Sequence, residues 1–97
     1  MKINKEALKS LAKDLRKEEP RDASEKLAGF EKGARCLDKC RATLLGRQGD
    51  FIYGCPMDRQ FLREAGLDVN EFKEFVAGGG SDAEVAKWID EHAHATR

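Results

Sequence analysis

Phe30-Glu-Lys-Gly-Ala-Arg-Cys-Leu-Asp-Lys-Cys-Arg-Ala-Thr-Leu-Leu-Gly46 is the stretch on which the fold turns. At 100° per residue Phe30, Ala34, Leu37, Leu44 and Leu45 fall on one side, and Gly46 supplies a left-handed stop, so the spacing predicts a helix over about 31–45. Arg41 projects between Leu37 and Leu44, inside the apolar stripe. A guanidinium there cannot shed its charge, so an anion must meet it or its stem must carry it to water.

Reading toward the C-terminus, Gly46-Arg-Gln-Gly49-Asp50 is a turn by composition. Phe51-Ile-Tyr53 is β-prone, but one short run without a partner makes no sheet. Cys55-Pro56 opens a third helix, with proline at the first helical position, and Gly66 ends it. Asp68-x-x-Glu71 caps a fourth helix that carries Val69, Phe72, Phe75 and Val76. Gly78 to Gly80 break it, and Ser81-x-x-Glu84 caps a fifth with Val85, Trp88 and Ile89 inward. Toward the N-terminus, Leu8, Leu11, Ala12 and Leu15 repeat at helical spacing behind Asn4, predicting a first helix over about 5–18 that Pro20 stops. Residues 20–30 read as a loop with at most one helical turn, because Gly29 and Gly33 each cost a continuous helix about 1 kcal/mol relative to Ala. The expected fold is all-α: one compact domain, 1–97, of about five helices with short loops.

Ninety-seven residues support one modest core, which leaves no room for a second domain. No apolar run approaches the roughly 18 residues a membrane span needs, and the first residues lack the pattern of a secretory signal. A cytoplasmic, membrane-free protein is expected. Its three cysteines, an odd number, are then expected as free thiols. The 18 Lys+Arg offset the 18 Asp+Glu, which argues against a polyanion binder. Residues 1–47, however, hold 13 basic against 8 acidic side chains and residues 48–97 hold 5 against 10. Neutrality is a cancellation between a basic and an acidic half that are expected to fold against each other.

Asp58 projects among Met57, Phe61, Leu62 and Ala65, inside the apolar arc of the third helix. The expectation is that it meets Arg41 in a two-pronged ion pair. The alternatives are that Asp58 only complements the dipole of its own helix, and that Arg41 faces a pocket and binds a carboxylate or phosphate. Cys36 and Cys40 share one helix face, and Cys55 with His92 could in principle complete a four-ligand metal site, but Cys-x3-Cys is a weak signal and no metal or cofactor is expected. Cys55, at a helix start, is the most reactive-looking thiol. His92 lies on the Val85–Ile89 stripe and reads as a half-buried residue near a helix end, while His94 faces away. The triple glycine reads as a flexible joint and lacks the lysine and preceding strand of a phosphate loop.

Pro20-Arg21 with Glu25-Lys-Leu-Ala-Gly29, then Leu37-Asp-Lys-Cys-Arg-Ala42, then Tyr53-Gly-Cys-Pro-Met-Asp58 resemble a bacterial family, domain of unknown function 5069. Its pattern runs Pro-Arg-Ser-Pro, Leu-Gly-Gly, Ile-Asp-Lys-x-Arg-Ala and Cys-Pro-Leu-Asp, followed by an acidic-start helix with Glu-Val and Trp. The resemblance covers about residues 11–92, so residues 1–19 read as an N-terminal helix and 20–95 as a family-like core. Ala28 stands where the pattern has the first glycine of its turn, and Asp22-Ala23-Ser24 replaces Ser-Pro. The resemblance picks out Asp38, Lys39, Arg41, Cys55, Pro56 and Asp58 and implies no activity.

The features favour a non-catalytic binding or protein-interaction module, with Phe51, Tyr53, Phe72 and Phe75 as spare aromatics for an interface. The alternative is an enzyme or small anionic-ligand binder using Asp38, Lys39, Arg41, Cys55 and Asp58 at the junction of helices two and three. Asp38 and Lys39 point about 100° apart, against their sharing one pocket. Nucleic-acid binding rests only on Lys32, Arg35 and Lys39 on one solvent face and is not expected.

Overall fold

A computed structural model describes residues 2–95, with side chains described as far as residue 93; the side-chain direction expected of His94 lies outside the described residues. Five helices follow in order: α1 Lys5–Leu11, α2 Gly33–Leu44, α3 Pro56–Ala65, α4 Val69–Ala77 and α5 Asp82–Ala95. Among the described residues there is no sheet, only a single bridge between Leu27 and Phe30. The all-α expectation holds. Among the described residues no helix is long and apolar enough to cross a membrane.

The capping residues act where the sequence placed them. Asp68 accepts from the amides of Asn70 and Glu71. Ser81 and Glu84 form a reciprocal box, each side chain taking the other residue's backbone N–H, at 3.2 and 2.9 Å. Cys55 is the N-cap of α3, Pro56 sits at its first position, and Gly66 ends it in the left-handed region.

Helix α1 is shorter than the leucine spacing predicts. Ala12 leaves the helix with ψ 138°, and the chain turns so that Leu15 is buried and its amide donates to Arg47 O at 2.9 Å. Asp14 stabilises that turn by accepting from the Arg16 amide and guanidinium. Leu8 and Leu15 share a helical period but fill different places, so tertiary docking overrides a local pattern. The long segment before α2 contains a tight turn at Leu27–Phe30, whose two central residues, Ala28 and Gly29, both have positive φ, 54° and 83°. That is the arrangement of a type I′ turn, for which glycine is favoured at both positions. Ala28 therefore keeps the left-handed backbone that the family pattern gives to glycine.

Helix α2 is the central element. Residues Gly33, Ala34 and Cys36 to Ala42 are all buried, the charged Asp38, Lys39 and Arg41 among them. A one-sided stripe is thus the wrong picture for α2, which is covered all round. Gly33 is required at its start, because a Cβ there would sit 2.8 Å from Leu27 Cβ and 3.0 Å from the Phe61 ring. The core joins Leu8, Leu27, Cys36, Leu37, Cys40, Phe61, Leu62, Phe72, Val76, Val85 and Ile89. Through it run edge-to-face contacts from Phe30 to Phe61 and from Phe61 to Phe72, with Tyr53 stacked on Phe72. The triple glycine is a docking point and not a free joint. The Asn4 amide donates to Ala77 O at 2.7 Å, and a Cβ at Gly79, φ 86°, would lie 2.5 Å from Ala7 Cβ.

Candidate functional site

Three charged side chains within four residues of α2 leave the helix in different directions. Lys39 and Arg41, two residues apart, are separated by about 200°, whereas Asp38 and Arg41, three apart, come within about 60° of each other. Sequence spacing therefore makes two clusters on opposite sides of one buried helix.

On the first side Lys39 reaches the start of α3. Its Nζ donates to Cys55 Sγ at 3.0 Å and pairs with Asp58 Oδ2 at 2.9 Å. The same Asp58 oxygen accepts the Gly54 N–H at 2.9 Å, which fixes the turn before the helix. Asp58 is 1% exposed and Lys39 4%. Such burial is tolerable for two charges only because each meets the other. Burial works against the lysine's charge, but the hydrogen bonds to Asp58 and Cys55 prevail, holding its pKa above the ordinary value of 10.5. Lys39 is an ammonium, not a base.

The expected Arg41–Asp58 pair is not formed. Asp58 takes Lys39, and Arg41, on the far side of α2, donates Nη1 to Asp82 Oδ1 at 2.8 Å and Nη2 to Gly80 O at 2.9 Å. Projection onto an apolar stripe marked both residues as buried and could not resolve which side of a fully covered helix each one faced. Arg21 completes the second cluster. Its side chain clamps Asp38, with Nη2 to Oδ1 at 2.9 Å and Nε to Oδ2 at 3.0 Å, its own amide donates to Asp38 at 2.8 Å, and Nη1 reaches Asp82 Oδ2 at 2.8 Å. The result is an alternating chain, Asp38–Arg21–Asp82–Arg41. Partial burial opposes the charge of Asp82, but hydrogen bonds from Arg21 and Arg41 outweigh it and lower its pKa.

A cavity of about 490 Å³ adjoins this chain, lined by Ser10, Leu11, Lys13, Arg21, Asp38, Arg41 and Asp82. Arg41 Nε is buried without a hydrogen-bond partner among the described residues. Neither Arg21 nor Asp82 carries a periodic signal that marks it as a site residue. Pro20-Arg21 stood in the family pattern, and Asp82 is the acidic start of its last helix.

Other candidates separate from these clusters. Lys39 is buried, so it does not share a solvent face with Lys32 and Arg35 as the nucleic-acid option assumed. Cys36 and Cys40 are wholly buried, and burial raises both thiols above their ordinary pKa. Among the described residues no three His, Cys, Asp or Glu side chains gather to hold a metal ion. His92 is half-buried, packs its ring at a tilt against Trp88 with centroids 4.2 Å apart, and lies 2.8 Å from Trp88 O through Nδ1. The spare aromatics are largely committed: Phe72 is buried, Tyr53 donates to Val69 O at 2.6 Å, Phe75 stacks on Trp88, and Arg35 lies over Phe51. The exposed large apolar residues that flank Cys55 in sequence are Ile52 and Met57.

Fold and clusters together define a small all-helical domain whose central helix is tied on one side by a buried ion pair that also meets a thiol and on the other by partly buried ion pairs. The chain belongs to the DUF5069 family, a domain of unknown function whose model matches residues 17–97. That match begins and ends later than the resemblance at 11–92 and leaves α1 outside it. No curated protein matches the chain. The strings that carry the family pattern are the ones that build the clusters: Pro20-Arg21 and Asp38 with Arg41 on one side, Lys39 with Cys55 and Asp58 on the other.

Proposed function

We propose that the domain is a binding module whose working group is the Cys55 thiol, reacting stoichiometrically with small electrophiles or peroxides and not turning over a substrate. The observation that carries this reading is the Lys39 ammonium, buried and held by Asp58, 3.0 Å from Sγ. A cation fixed beside a partly exposed thiol is the setting in which anionic sulfur products are stabilised. Of the three thiols, Cys55 alone has access to solvent, and exposed Ile52 and Met57 offer an apolar rim to a ligand carrying the electrophile. Turnover is disfavoured because acid–base catalysis needs a group poised near neutral pH, and Lys39 is held protonated. A reducing cytoplasmic setting fits this role, since it keeps the thiol free to react. The test is the rate of carbamidomethylation by iodoacetamide at neutral pH, followed by mass spectrometry. Cys55 is expected to react faster than free cysteine while Cys36 and Cys40 stay unlabelled; a rate no faster than free cysteine removes the reading.

A second reading concerns the opposite cluster, as a site for a small carboxylate or phosphate in the cavity beside Arg21 and Arg41. It is favoured by the unpaired Arg41 Nε and by three cations, Lys13, Arg21 and Arg41, against two carboxylates among the lining residues. An unmet buried donor costs about 1–3 kcal/mol unless something occupies it. Titration with inorganic phosphate and with succinate is expected to shift the Arg41 Nε–H resonance; no shift at 10-fold molar excess up to millimolar concentration refutes this reading.

A further inference from the structure

We propose that Cys55 and Lys39 are a modification site, at which a hydroperoxide drives a covalent sulfur–nitrogen link between the two side chains. The inference rests on the reading of Cys55 as the reactive thiol and adds the fate of its first oxidation product.

The geometry supplies both partners. Cys55 is half-buried at the α3 N-cap, and Nζ is delivered from inside by a residue that is 4% exposed and pinned by Asp58. In the first step the sulfur attacks a peroxide oxygen, the O–O bond breaks, and Cys–SH and HOOH become Cys–SOH and water. Sulfur is oxidised by two electrons and the peroxide is reduced by two. A sulfenic acid condenses with a thiol or with a neighbouring nitrogen, and here the nitrogen held against the sulfur belongs to Lys39. In the second step the Lys39 ammonium gives one proton to solvent, the amine attacks the sulfur of Cys–SOH, the S–O bond breaks, and the leaving hydroxide takes a second proton from the nitrogen and departs as water. The net change from reduced protein is the loss of two hydrogen atoms. Excess dithiol reverses it, returning thiol and amine and becoming a disulfide.

The two other cysteines compete only if the chain opens, because both are wholly buried. Condensation also removes the lysine's charge, leaving Asp58 with the Gly54 amide as its remaining partner. The turn before α3 is therefore where the modification is felt.

The test treats the full-length wild-type protein with hydrogen peroxide at neutral pH, then denatures it without reductant, alkylates with iodoacetamide and maps the peptides by tandem mass spectrometry. The expected product is lighter by two hydrogens before alkylation, carries label on both Cys36 and Cys40, joins the Lys39 peptide to the Cys55 peptide, and returns to the starting mass with dithiothreitol. A product with label on only one of Cys36 and Cys40 is a disulfide and overturns the proposal. Cys55 found as sulfinic or sulfonic acid, or trapped by dimedone, with Lys39 unlinked also overturns it, while leaving the reactive-thiol reading standing. Cys55 left unmodified under conditions that oxidise free cysteine removes both. No substitution is involved, so loss of folding cannot mimic any of these results.

Discussion

Replacing Lys39 by methionine keeps most of the side chain's volume and removes the cation that meets Asp58. The carboxylate is 1% exposed, and Asp58 Oδ2 is left with only the Gly54 N–H. Removing one partner of a buried pair costs about 3–5 kcal/mol, and the retained amide bond places this case near the lower end, about 3 kcal/mol. For a chain of this length total stability is on the order of 5–15 kcal/mol, so the variant folds with much of its margin gone. With a urea slope of roughly 1–3 kcal/mol per molar, the midpoint in far-UV circular dichroism is expected to fall by about 1–3 M. A double-mutant cycle makes the reasoning specific. Lys39→Met with Asp58→Asn should be non-additive by about 1–3 kcal/mol, whereas Arg41→Met with Asp58→Asn should add within roughly 0.5 kcal/mol because those residues do not touch. A loss below about 1 kcal/mol for Lys39→Met, or coupling of Asp58 to Arg41 and not to Lys39, refutes the pairing.

Ala28→Gly places glycine at a residue with φ 54°; relief of the left-handed strain, offset by the entropy of the unfolded chain, should raise stability by up to about 1 kcal/mol in the same urea assay. Gly79→Ala should destabilise by about 1–3 kcal/mol, since its φ is 86° and the new Cβ meets Ala7; proteolysis near residue 12 should then quicken as α1 lifts. The pKa of Asp82 is lowered in the fold, so its contribution is present above the unfolded carboxyl value and is lost as pH falls through the folded one; Asp82→Asn should flatten the acid limb of stability against pH. Lys39 has a raised pKa, so its contribution persists below about 10.5 and fades as pH rises through the folded value; Lys39→Met should flatten the alkaline limb.

The helix starts and stops were legible because their signals are local. Asp68, Ser81, Pro56 and Gly66 act on backbone groups within four residues of themselves, and all four sit where composition placed them. Helix α1 is shorter than its leucine period because Leu15 is fixed by Arg47 O, a partner 32 residues away that no local period contains. In the candidate site, residue identities were legible and their partners were not. Asp38, Lys39, Arg41, Cys55 and Asp58 are all placed in one of the two clusters, but a projection that assumes one apolar face cannot assign sides to a helix buried all round. Arg21 carries no local signal because it lies in a loop, where periodicity has no purchase, and its importance comes from meeting Asp38 and Asp82 at once. The division of charge along the chain was the better guide. Lys39–Asp58, Arg41–Asp82 and Arg21–Asp82 each join a cation of the basic half to an anion of the acidic half.

The central claim is that Lys39, and not Arg41, closes the start of α3 by meeting both Asp58 and the Cys55 sulfur. Its most direct measurement is nuclear magnetic resonance of protein labelled at lysine and arginine side chains. The account predicts a slowly exchanging Lys39 ammonium with cross-peaks to the β protons of Cys55 and Asp58, and an Arg41 guanidinium with cross-peaks to Asp82. A rapidly exchanging Lys39 amine group without those cross-peaks, or Arg41 contacts to Asp58, would contradict it.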